Sequence, residues 1–188
     1  LDYLAQLWDQ IVFSPHEESV KAALRIIEGS VEEIAFVQAN SDEPRRARKP
    51  ERMAKLKLRG MKSGIPLNSM GDGMLRVLQL ALTIFPAKGG MLLIDEFENA
   101  LHWTVQEKIW KLIFQLATEL DIQVFATSHS NDALKGFASA ANAHPELGTL
   151  IRLTRPQQAL EFGEPFATVA SLNEIELLAA TEAEIEIR

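Results

Sequence analysis

The sequence contains no cysteine, which excludes disulfide bonds and thiolate metal sites. No apolar run reaches the roughly 18 residues that a membrane-spanning helix needs, so we expect no membrane span. Residues 1–13 are apolar but lack the basic start and the cleavage site of a signal peptide. We therefore expect a cytoplasmic protein. Aromatic residues are few, at 7% of the chain, but hydrophobic residues reach 47%, which suffices for a buried core.

Positive charge is also scarce, except in one segment. The net charge of the chain is −7, yet residues 45–62 hold nine Lys or Arg against one acid, Glu51. A basic segment on an acidic body is compatible with binding to nucleic acid or phosphate. No aromatic residue is interleaved there for base stacking, so a solvated loop and strand face is the favoured interpretation. Nucleic-acid binding stays open as an alternative.

Hydrophobic periodicity predicts an α/β fold with parallel core strands, flanking helices and a small β-hairpin. Ser14 and Pro15 supply a cap and a first-turn proline for one helix, and Ser130 or Asn131 caps another. Predicted helices span residues 2–10, 15–28, 74–85, 101–120, 131–139 and 172–183. Predicted strands span residues 31–37, 53–58, 65–67, 91–94 and 122–127, and residues 149–154 and 159–162 form the predicted hairpin. A loop is predicted over residues 40–50.

The segment from residue 91 to 139 reads strand, helix, strand, helix, which is a βαβ unit with a parallel sheet. The first strand, residues 91–94, is a continuous apolar run, typical of strands buried on two faces, and residues 122–127 are expected to form a second buried strand. Ligands of such sheets bind beyond the carboxyl ends of the strands. The first strand ends in Asp95 and Glu96, and the second ends in Ser128 and His129. Residues capable of chemistry are therefore expected at one edge of the sheet.

The run MLLIDE (91–96) has the form of a Walker B motif, an apolar strand that ends in two acids. In that interpretation Asp95 holds Mg²⁺, which takes few protein carboxylates, and Glu96 polarises the water that attacks a γ-phosphate. His129 would hydrogen-bond the γ-phosphate or the attacking water. The alternative for the acids is capping of the next helix. For His129 alone, the alternative is a helix cap or a satisfied core residue.

A third segment, SMGDG (69–73), precedes a long apolar helix. Its glycines allow backbone N–H groups to approach an anion, the helix start adds partial positive charge, and Ser69 adds a hydroxyl donor. Taken alone, a glycine-rich helix cap is the simpler interpretation. Asp72 brings negative charge near the expected phosphate, so we do not assign it a phosphate contact.

In this order and spacing, the three segments resemble those of the ABC-type ATPase superfamily. The matching motifs are the signature (69–73), Walker B (91–96), the D-loop (98–102) and the switch histidine, His129. The strings PLNSMGDG (66–73) and LIDEFENALH (93–102) are most similar to the AAA-family branch of RecF-like and overcoming-lysogenisation-defect ATPases. The resemblance is strongest over residues 64–135. One departure is Ala100, where members of the family often have Gly.

This resemblance implies a head-to-tail homodimer that binds ATP and Mg²⁺ between its subunits, with signature and D-loop faces in the interface. It implies an ATPase switch that acts in DNA repair or phage defence through a partner, such as DNA or an effector nuclease. The implied roles are catalysis by Glu96 and His129, Mg²⁺ binding by Asp95, nucleotide contacts in trans by Ser69, Gly71 and Gly73, and a D-loop with Asn99, Leu101 and His102.

A phosphate-binding loop (Walker A) is missing, because the nearest look-alike, GMKS (60–63), lacks the glycine before Lys62 and has Leu56 at the first glycine position. We therefore expect the C-terminal portion of a single ABC-type ATPase domain whose N-terminal Walker A half lies outside this chain. Its expected parts are a lead-in (1–40), a basic loop and strand (41–63), the motif core (64–140) and a C-terminal hairpin and helix (141–188). Such a fragment should bind no ATP alone and should expose an apolar sheet edge. A non-catalytic interaction module or nucleic-acid-binding module is the alternative function.

Overall fold

The structure is a computed structural model that describes residues 1–38, 52–142, 147–154 and 168–172. Its helices are α1 (Asp2–Ile11), α2 (Pro15–Arg25), α3 (Asp72–Thr83), α4 (Trp103–Leu120) and α5 (Asn131–Ala141). Its strands are β1 (Val31–Gln38), β2 (Arg52–Leu58), β3 (Ile65–Pro66), β4 (Met91–Ile94), β5 (Gln123–Ala126), β6 (Leu150–Thr154) and β7 (Thr168–Leu172). Short 3₁₀ helices span Leu67–Met70 and Phe85–Ala87. These elements form a mixed α/β fold with a parallel strand pair and flanking helices.

The first part of the chain forms an antiparallel sheet in the order β1, β2, β3, against which α2 packs. The Ser14 hydroxyl caps α2 by accepting a hydrogen bond from the N–H of His16, as the Ser-Pro start predicts. Lys21 of α2 is buried and pairs with Glu17 at 2.8 Å and with Glu33 of β1 at 2.7 Å. Because this buried cation has two carboxylate partners, it ties α2 to the sheet without an unpaired charge.

The strands that position the candidate site are β4 and β5, which pair in parallel through the crossover helix α4, as the sequence predicts. Ile94 lies opposite Ala126 in this register. The residues that follow the two strands, Asp95 and Thr127, are therefore neighbours. Parallel pairing thus brings the acid pair of one loop beside the start of the loop that carries His129.

Helix α3 lies at the centre of the main hydrophobic core, which gathers buried residues from α1 to α5 and from β1, β2 and β4. Its buried side chains recur at helical spacing: Met74, Val77, Leu78 and Ala81. Since α1 and α2 both pack on α3, this core holds the start of α3 in place relative to the end of β4.

The β4–β5 pair is buried on one face only, so the expectation of burial on both faces is wrong for this chain. Leu92, Ile94 and Val124 contact the core. On the other face Leu93 is 72% exposed, Met91 54% and Phe125 45%. No described helix combines the length and apolar character that a bilayer crossing requires.

At the C-terminal end of the described chain, strand β6 pairs in antiparallel fashion with β7, Thr154 opposite Thr168. The predicted partner of this strand, residues 159–162, lies outside the described residues. Leu172, the predicted first residue of the last helix, is the last residue of β7. The remainder of that predicted helix and the predicted loop at 40–50 also lie outside the described residues.

Candidate functional site

The ends of β4 and β5 are joined by the side chain of Thr127. Its hydroxyl donates to Oδ1 of Asp95 at 2.6 Å and accepts from the N–H of Glu96 at 2.9 Å. Backbone bonds extend the parallel ladder past the strands, from Thr127 N to Ile94 O and from Phe97 N to Thr127 O, each 2.9 Å. The Asp95 and Glu96 side chains are exposed at this junction. They are therefore open to a ligand while their backbone is held.

Glu96 has a left-handed backbone conformation, with φ of 47°. This region costs a residue with a side chain roughly 1–2 kcal/mol, and such strain persists only where the surroundings fix it. Its carbonyl oxygen accepts bonds at 2.9 Å from both the N–H of Asn99 and the guanidinium of Arg76. Together with the bond from the Glu96 N–H to the Thr127 hydroxyl, these contacts fix the backbone of Glu96 and hence the direction in which its side chain points.

Arg76, in the second turn of α3, clamps the end of β4 to the helix that follows the signature segment. One terminal nitrogen donates to the carbonyl oxygens of Asp95 and Glu96, both at 2.9 Å. Its Nε is buried with no hydrogen-bond partner in the described part of the chain. No motif or period predicts this contact, which links the helix after one predicted motif to the end of another.

His129 is held through its main chain by the carboxylate of Glu98. The N–H of His129 donates to Oε1 of Glu98 at 2.7 Å, and the imidazole is exposed. Burial raises the pKa of the Glu98 carboxyl, but the hydrogen bond from His129 and further hydrogen bonds outweigh it, so the pKa lies below its ordinary value. Glu98 is therefore charged at neutral pH and holds the loop after β5 through the N–H of His129.

Phe97, which lies between Glu96 and Glu98, anchors this segment to the core. Its ring is fully buried and stacks on Trp110 of α4, with ring centroids 3.9 Å apart and 18° between the planes. The Trp110 indole N–H donates to the carbonyl of Ala133 in α5 at 3.0 Å. The segment after β4 is thus tied to both helices that flank the loop of His129.

In the signature segment, Ser69 lies in the 3₁₀ helix Leu67–Met70 and its side chain is exposed. Gly71 has φ of 88°, and a Cβ placed on it would meet no atom within 4 Å. Only glycine adopts that backbone freely, and the open space permits close approach of a ligand. A Cβ on Gly73, in contrast, would lie 2.9 Å from the carbonyl oxygen of Ala100. Gly73 therefore allows α3 to meet the D-loop of the same chain.

The D-loop residues fall into exposed and buried positions. Asn99 is exposed, and Ala100 is left-handed with φ of 60°, which explains why glycine suits this position. Leu101 is buried, and its carbonyl accepts from buried Gln106 at 3.0 Å. His102 is exposed and caps α4, its Nδ1 accepting from the N–H of Thr104. Leu101 thus anchors the loop while Asn99 and His102 face outward.

The structure brings Asp95, Glu96 and His129 to one edge of the parallel pair. Within the described ranges, no hydrogen bond joins Ser69 or Gly71 to these three residues. The helix that follows the signature segment is linked to the strand end through Arg76, and Gly73 lies against the backbone of Ala100.

The chemistry of this edge fits Mg²⁺ with phosphate ligands. Among the described residues, no group of three or more His, Cys, Asp or Glu could hold a metal ion. An all-protein site of that kind is not what Mg²⁺ requires, because it keeps several waters and takes one or two carboxylates plus substrate phosphates. Asp95 offers one exposed carboxylate whose orientation Thr127 fixes.

The described part of the basic segment is partly neutralised by acids. Arg52 makes a two-pronged pair with Asp9 at 2.5 and 2.9 Å, and Lys57 lies 3.5 Å from Glu32. These pairs support the interpretation as a solvated strand face for residues 52–58. Residues 45–51 lie outside the described residues.

Three residues that sequence reasoning missed now join the candidate site: Thr127, Arg76 and Glu98. Thr127 had a usable signal, because parallel pairing of the two predicted strands in register places it opposite Asp95. Arg76 and Glu98 had none, since their bonds span 19–20 and 31 residues and depend on how α3 and the β5 loop pack.

A family model described as "AAA domain, putative AbiEii toxin, Type IV TA system" matches residues 11–134 of the chain. A curated relative, the "ATP/GTP phosphatase" of Helicobacter pylori, is 25% identical over 122 residues, which cover 63% of this chain and 30% of that protein. The chain therefore spans less than a third of the length of that relative.

Two solved structures share the fold at 14% sequence identity. One comes from the structural biochemistry of ATP-driven dimerization and DNA-stimulated activation of SMC ATPases, with a TM-score of 0.57 and coverage of 90% of both chains. The other is an SmcHead bound to the C-winged helix domain of ScpA, with a TM-score of 0.55 and coverage of 84% of this chain and 42% of that chain. The fold of the chain is therefore similar to that of these SMC ATPase structures.

Proposed function

The chain belongs to the AAA-domain family described as "putative AbiEii toxin, Type IV TA system", and on that premise we propose that it is the part of an ATP-hydrolysing switch domain that supplies the acids and the histidine. One observation carries the proposal. The Thr127 hydroxyl holds Asp95 and Glu96 together at the strand end whose neighbouring loop presents His129. Two acids that served only as a helix cap would require neither a hydroxyl that bonds both residues nor a left-handed backbone at Glu96.

Asp95 is the residue that would hold Mg²⁺, and the ion would neutralise charge on the β- and γ-phosphates. Oδ1 of Asp95 already accepts from Thr127, so Oδ2 is the oxygen left for the ion or its waters. The exposed Asp95 side chain leaves room for a hydrated ion.

Glu96 is the proposed general base, which orients the attacking water and accepts its proton. The fixed backbone at Glu96 aims the carboxylate, because its N–H and its carbonyl oxygen are both bonded to neighbouring elements. His129 is the proposed γ-phosphate sensor, and its exposed ring can donate a hydrogen bond to a phosphate oxygen.

The signature segment would serve the ATP of a second subunit. The exposed Ser69 hydroxyl and the N–H of Gly71 are the proposed donors to the γ-phosphate in trans, while Gly73 allows the helix start to meet the D-loop. Asn99 and His102, the outward-facing residues of the D-loop, would cross the dimer interface next to Leu101. Closure of such a dimer by ATP and its opening by hydrolysis would make the switch.

The Walker A half is the proposed partner within the same domain. The exposed face of Met91, Leu93 and Phe125 supports this, because large exposed apolar patches mark surfaces that another element covers. A groove of about 470 Å³ also runs along β4, lined by three strand residues and Asp95, by α3 and by the start of the chain at α1. An added strand or loop from the proposed Walker A half would fill that groove.

The output that we propose is defence or DNA repair in the cytoplasm through a partner such as an effector nuclease or DNA. The family description names a toxin of a toxin–antitoxin system, which favours defence. The acid pairing of Arg52 and Lys57 gives less support to the alternative of a nucleic-acid-binding module.

The test uses the complete protein that contains this chain and its Walker A half. We expect Glu96→Gln to abolish ATP turnover while ATP binding and dimerisation are retained, because only the proton acceptor is lost. Glu119→Gln, which neutralises an exposed carboxylate on α4, is the matched control and should turn over ATP normally. Wild-type rates in Glu96→Gln would refute the base assignment. The 188-residue chain alone should show no heat of ATP binding by calorimetry.

A further inference from the structure

The loop that carries His129 is bonded to Glu98, which lies in a distant segment of the chain. The N–H of His129 donates to Oε1 of Glu98 at 2.7 Å, and the Ser128 side chain also hydrogen-bonds the Glu98 carboxylate. The other bonds of this loop are local, from Ser130 N to the Ser128 hydroxyl and from Ala133 N to the Ser130 hydroxyl. Without Glu98, the main chain at His129 would be set by the loop alone.

Glu98 is suited to this contact because its own segment is anchored to the core. Phe97 next to it is fully buried against Trp110, and its N–H is bonded to the carbonyl of Thr127. Trp110 in turn bonds the carbonyl of Ala133, just beyond the loop. The loop is thus fixed at its start by Thr127 and at its end by Ala133, and Glu98 holds the middle.

The Glu98 carboxylate bonds the loop through one of its two oxygens, Oε1. The other, Oε2, is buried and has no hydrogen-bond partner among the described residues. A buried, unpaired carboxylate oxygen is costly, and such groups call for an explanation other than stability. Charge-assisted bonds to backbone N–H groups are short and strong, as the 2.7 Å distance here illustrates. Glu98 therefore leaves Oε2 without a hydrogen bond and uses Oε1 to hold the main chain of His129.

We propose that Glu98 is a positioning residue for ATP hydrolysis, which holds the main chain of His129 so that the imidazole meets the nucleotide at a fixed place beside Glu96. This inference rests on the proposed function. Glu96 and Glu98 lie two residues apart on the same anchored segment, so the base and the histidine move together. Glu98 itself touches neither water nor phosphate in this role.

The contact is tested first in the chain as given, by amide hydrogen exchange at His129. We expect Glu98→Ala to speed exchange at this amide by at least about tenfold, since a charge-assisted bond is lost. Glu98→Gln should give an intermediate rate, because its amide oxygen still accepts. Glu119→Ala is the control, and thermal unfolding of each variant checks the fold. Unchanged exchange in both Glu98 variants would overturn the inference.

The role is tested in the complete protein by steady-state ATP hydrolysis. We expect Glu98→Ala to lower kcat with little change in KM, and Glu98→Gln to recover part of the rate. In a His129→Ala background, Glu98→Ala should cost nothing further, because residues that act through one another are not additive. Additive losses would overturn the inference and leave the proposed function standing. A wild-type protein without turnover would overturn the proposed function, whatever the exchange data show.

Discussion

The hydroxyl of Thr127 serves Asp95 and Glu96 at once, donating to Oδ1 of the first at 2.6 Å and accepting from the N–H of the second at 2.9 Å. One oxygen thereby fixes the orientation of the proposed Mg²⁺ ligand and the backbone of the proposed base. Because Thr127 follows β5 directly, any shift of β5 along β4 would move both acids.

Thr127→Val tests this arrangement, since valine keeps the shape of the side chain and removes both hydrogen bonds. We expect a loss of about 1 kcal/mol in the free energy of unfolding, the usual net value for a hydrogen bond at a site that solvent reaches. In the complete protein, half-maximal turnover should require more Mg²⁺, because the Asp95 carboxylate loses its fixed orientation. Denaturant unfolding and a Mg²⁺ titration of the ATPase rate measure the two effects.

Thr118→Val is the control for that substitution. The Thr118 hydroxyl bonds the carbonyl of Phe114 within α4, far along the chain from the acids. The control should leave the Mg²⁺ dependence unchanged. An equal Mg²⁺ requirement in wild type and Thr127→Val would show that Asp95 does not depend on Thr127.

The parallel pair and its helices were predictable, because apolar runs and amphipathic periods are local properties of the sequence. The partner of β6 was not predictable, since the choice between 159–162 and Thr168–Leu172 depends on long-range pairing across a connection of many residues. The exposure of Leu93 was not predictable either, because an apolar strand pattern does not specify which of its two faces the rest of the described chain covers.

The residue types of the candidate site could be predicted from motif order, but their supports could not. Asp95, Glu96 and His129 stand at strand ends, where chemistry is expected. Arg76 and Glu98 act through long-range hydrogen bonds, which no period or spacing encodes. The left-handed backbone of Glu96 is likewise a product of its tertiary contacts, because glutamate has no intrinsic preference for that conformation.

Gly73→Ala tests the contact between the start of α3 and the D-loop. The new methyl group would lie 2.9 Å from the carbonyl oxygen of Ala100, a backbone atom that cannot rotate away. We expect a loss of roughly 1–3 kcal/mol in the free energy of unfolding from overpacking. Gly29→Ala is the control, since a Cβ there meets nothing within 4 Å. A neutral Gly73→Ala would mean that the D-loop shifts freely at Ala100.

Ala100→Gly should raise the free energy of unfolding, whereas Gly73→Ala should lower it. Ala100 has φ of 60°, a conformation in which glycine avoids the steric cost of a Cβ. Some of that gain is offset by the greater freedom of glycine in the unfolded chain, so we expect a net stabilisation of about 0.5–1 kcal/mol.

Ala22→Gly is the matched control for Ala100→Gly. Ala22 is an exposed residue in the interior of α2, where the same exchange should destabilise by about 1 kcal/mol. Chemical denaturation of the two variants provides the comparison. Destabilisation of similar size in both would show that Ala100 is not held in the left-handed conformation in solution.

Leu93→Lys tests whether the exposed face of β4 and β5 awaits a covering partner. Leu93 is 72% exposed, so in the 188-residue chain the substitution should change the free energy of unfolding by less than about 0.5 kcal/mol. It should also lower self-association, measured by light scattering over a range of concentrations, because an apolar strand surface gains a charge. In the complete protein, with the Walker A half present, the same lysine should destabilise the fold, since the face would then be buried.

Phe13→Lys, at a residue 95% exposed in the turn between α1 and α2, is the control and should leave self-association unchanged in both settings. Equal stability of the complete protein with Leu or Lys at position 93 would contradict the proposed cover.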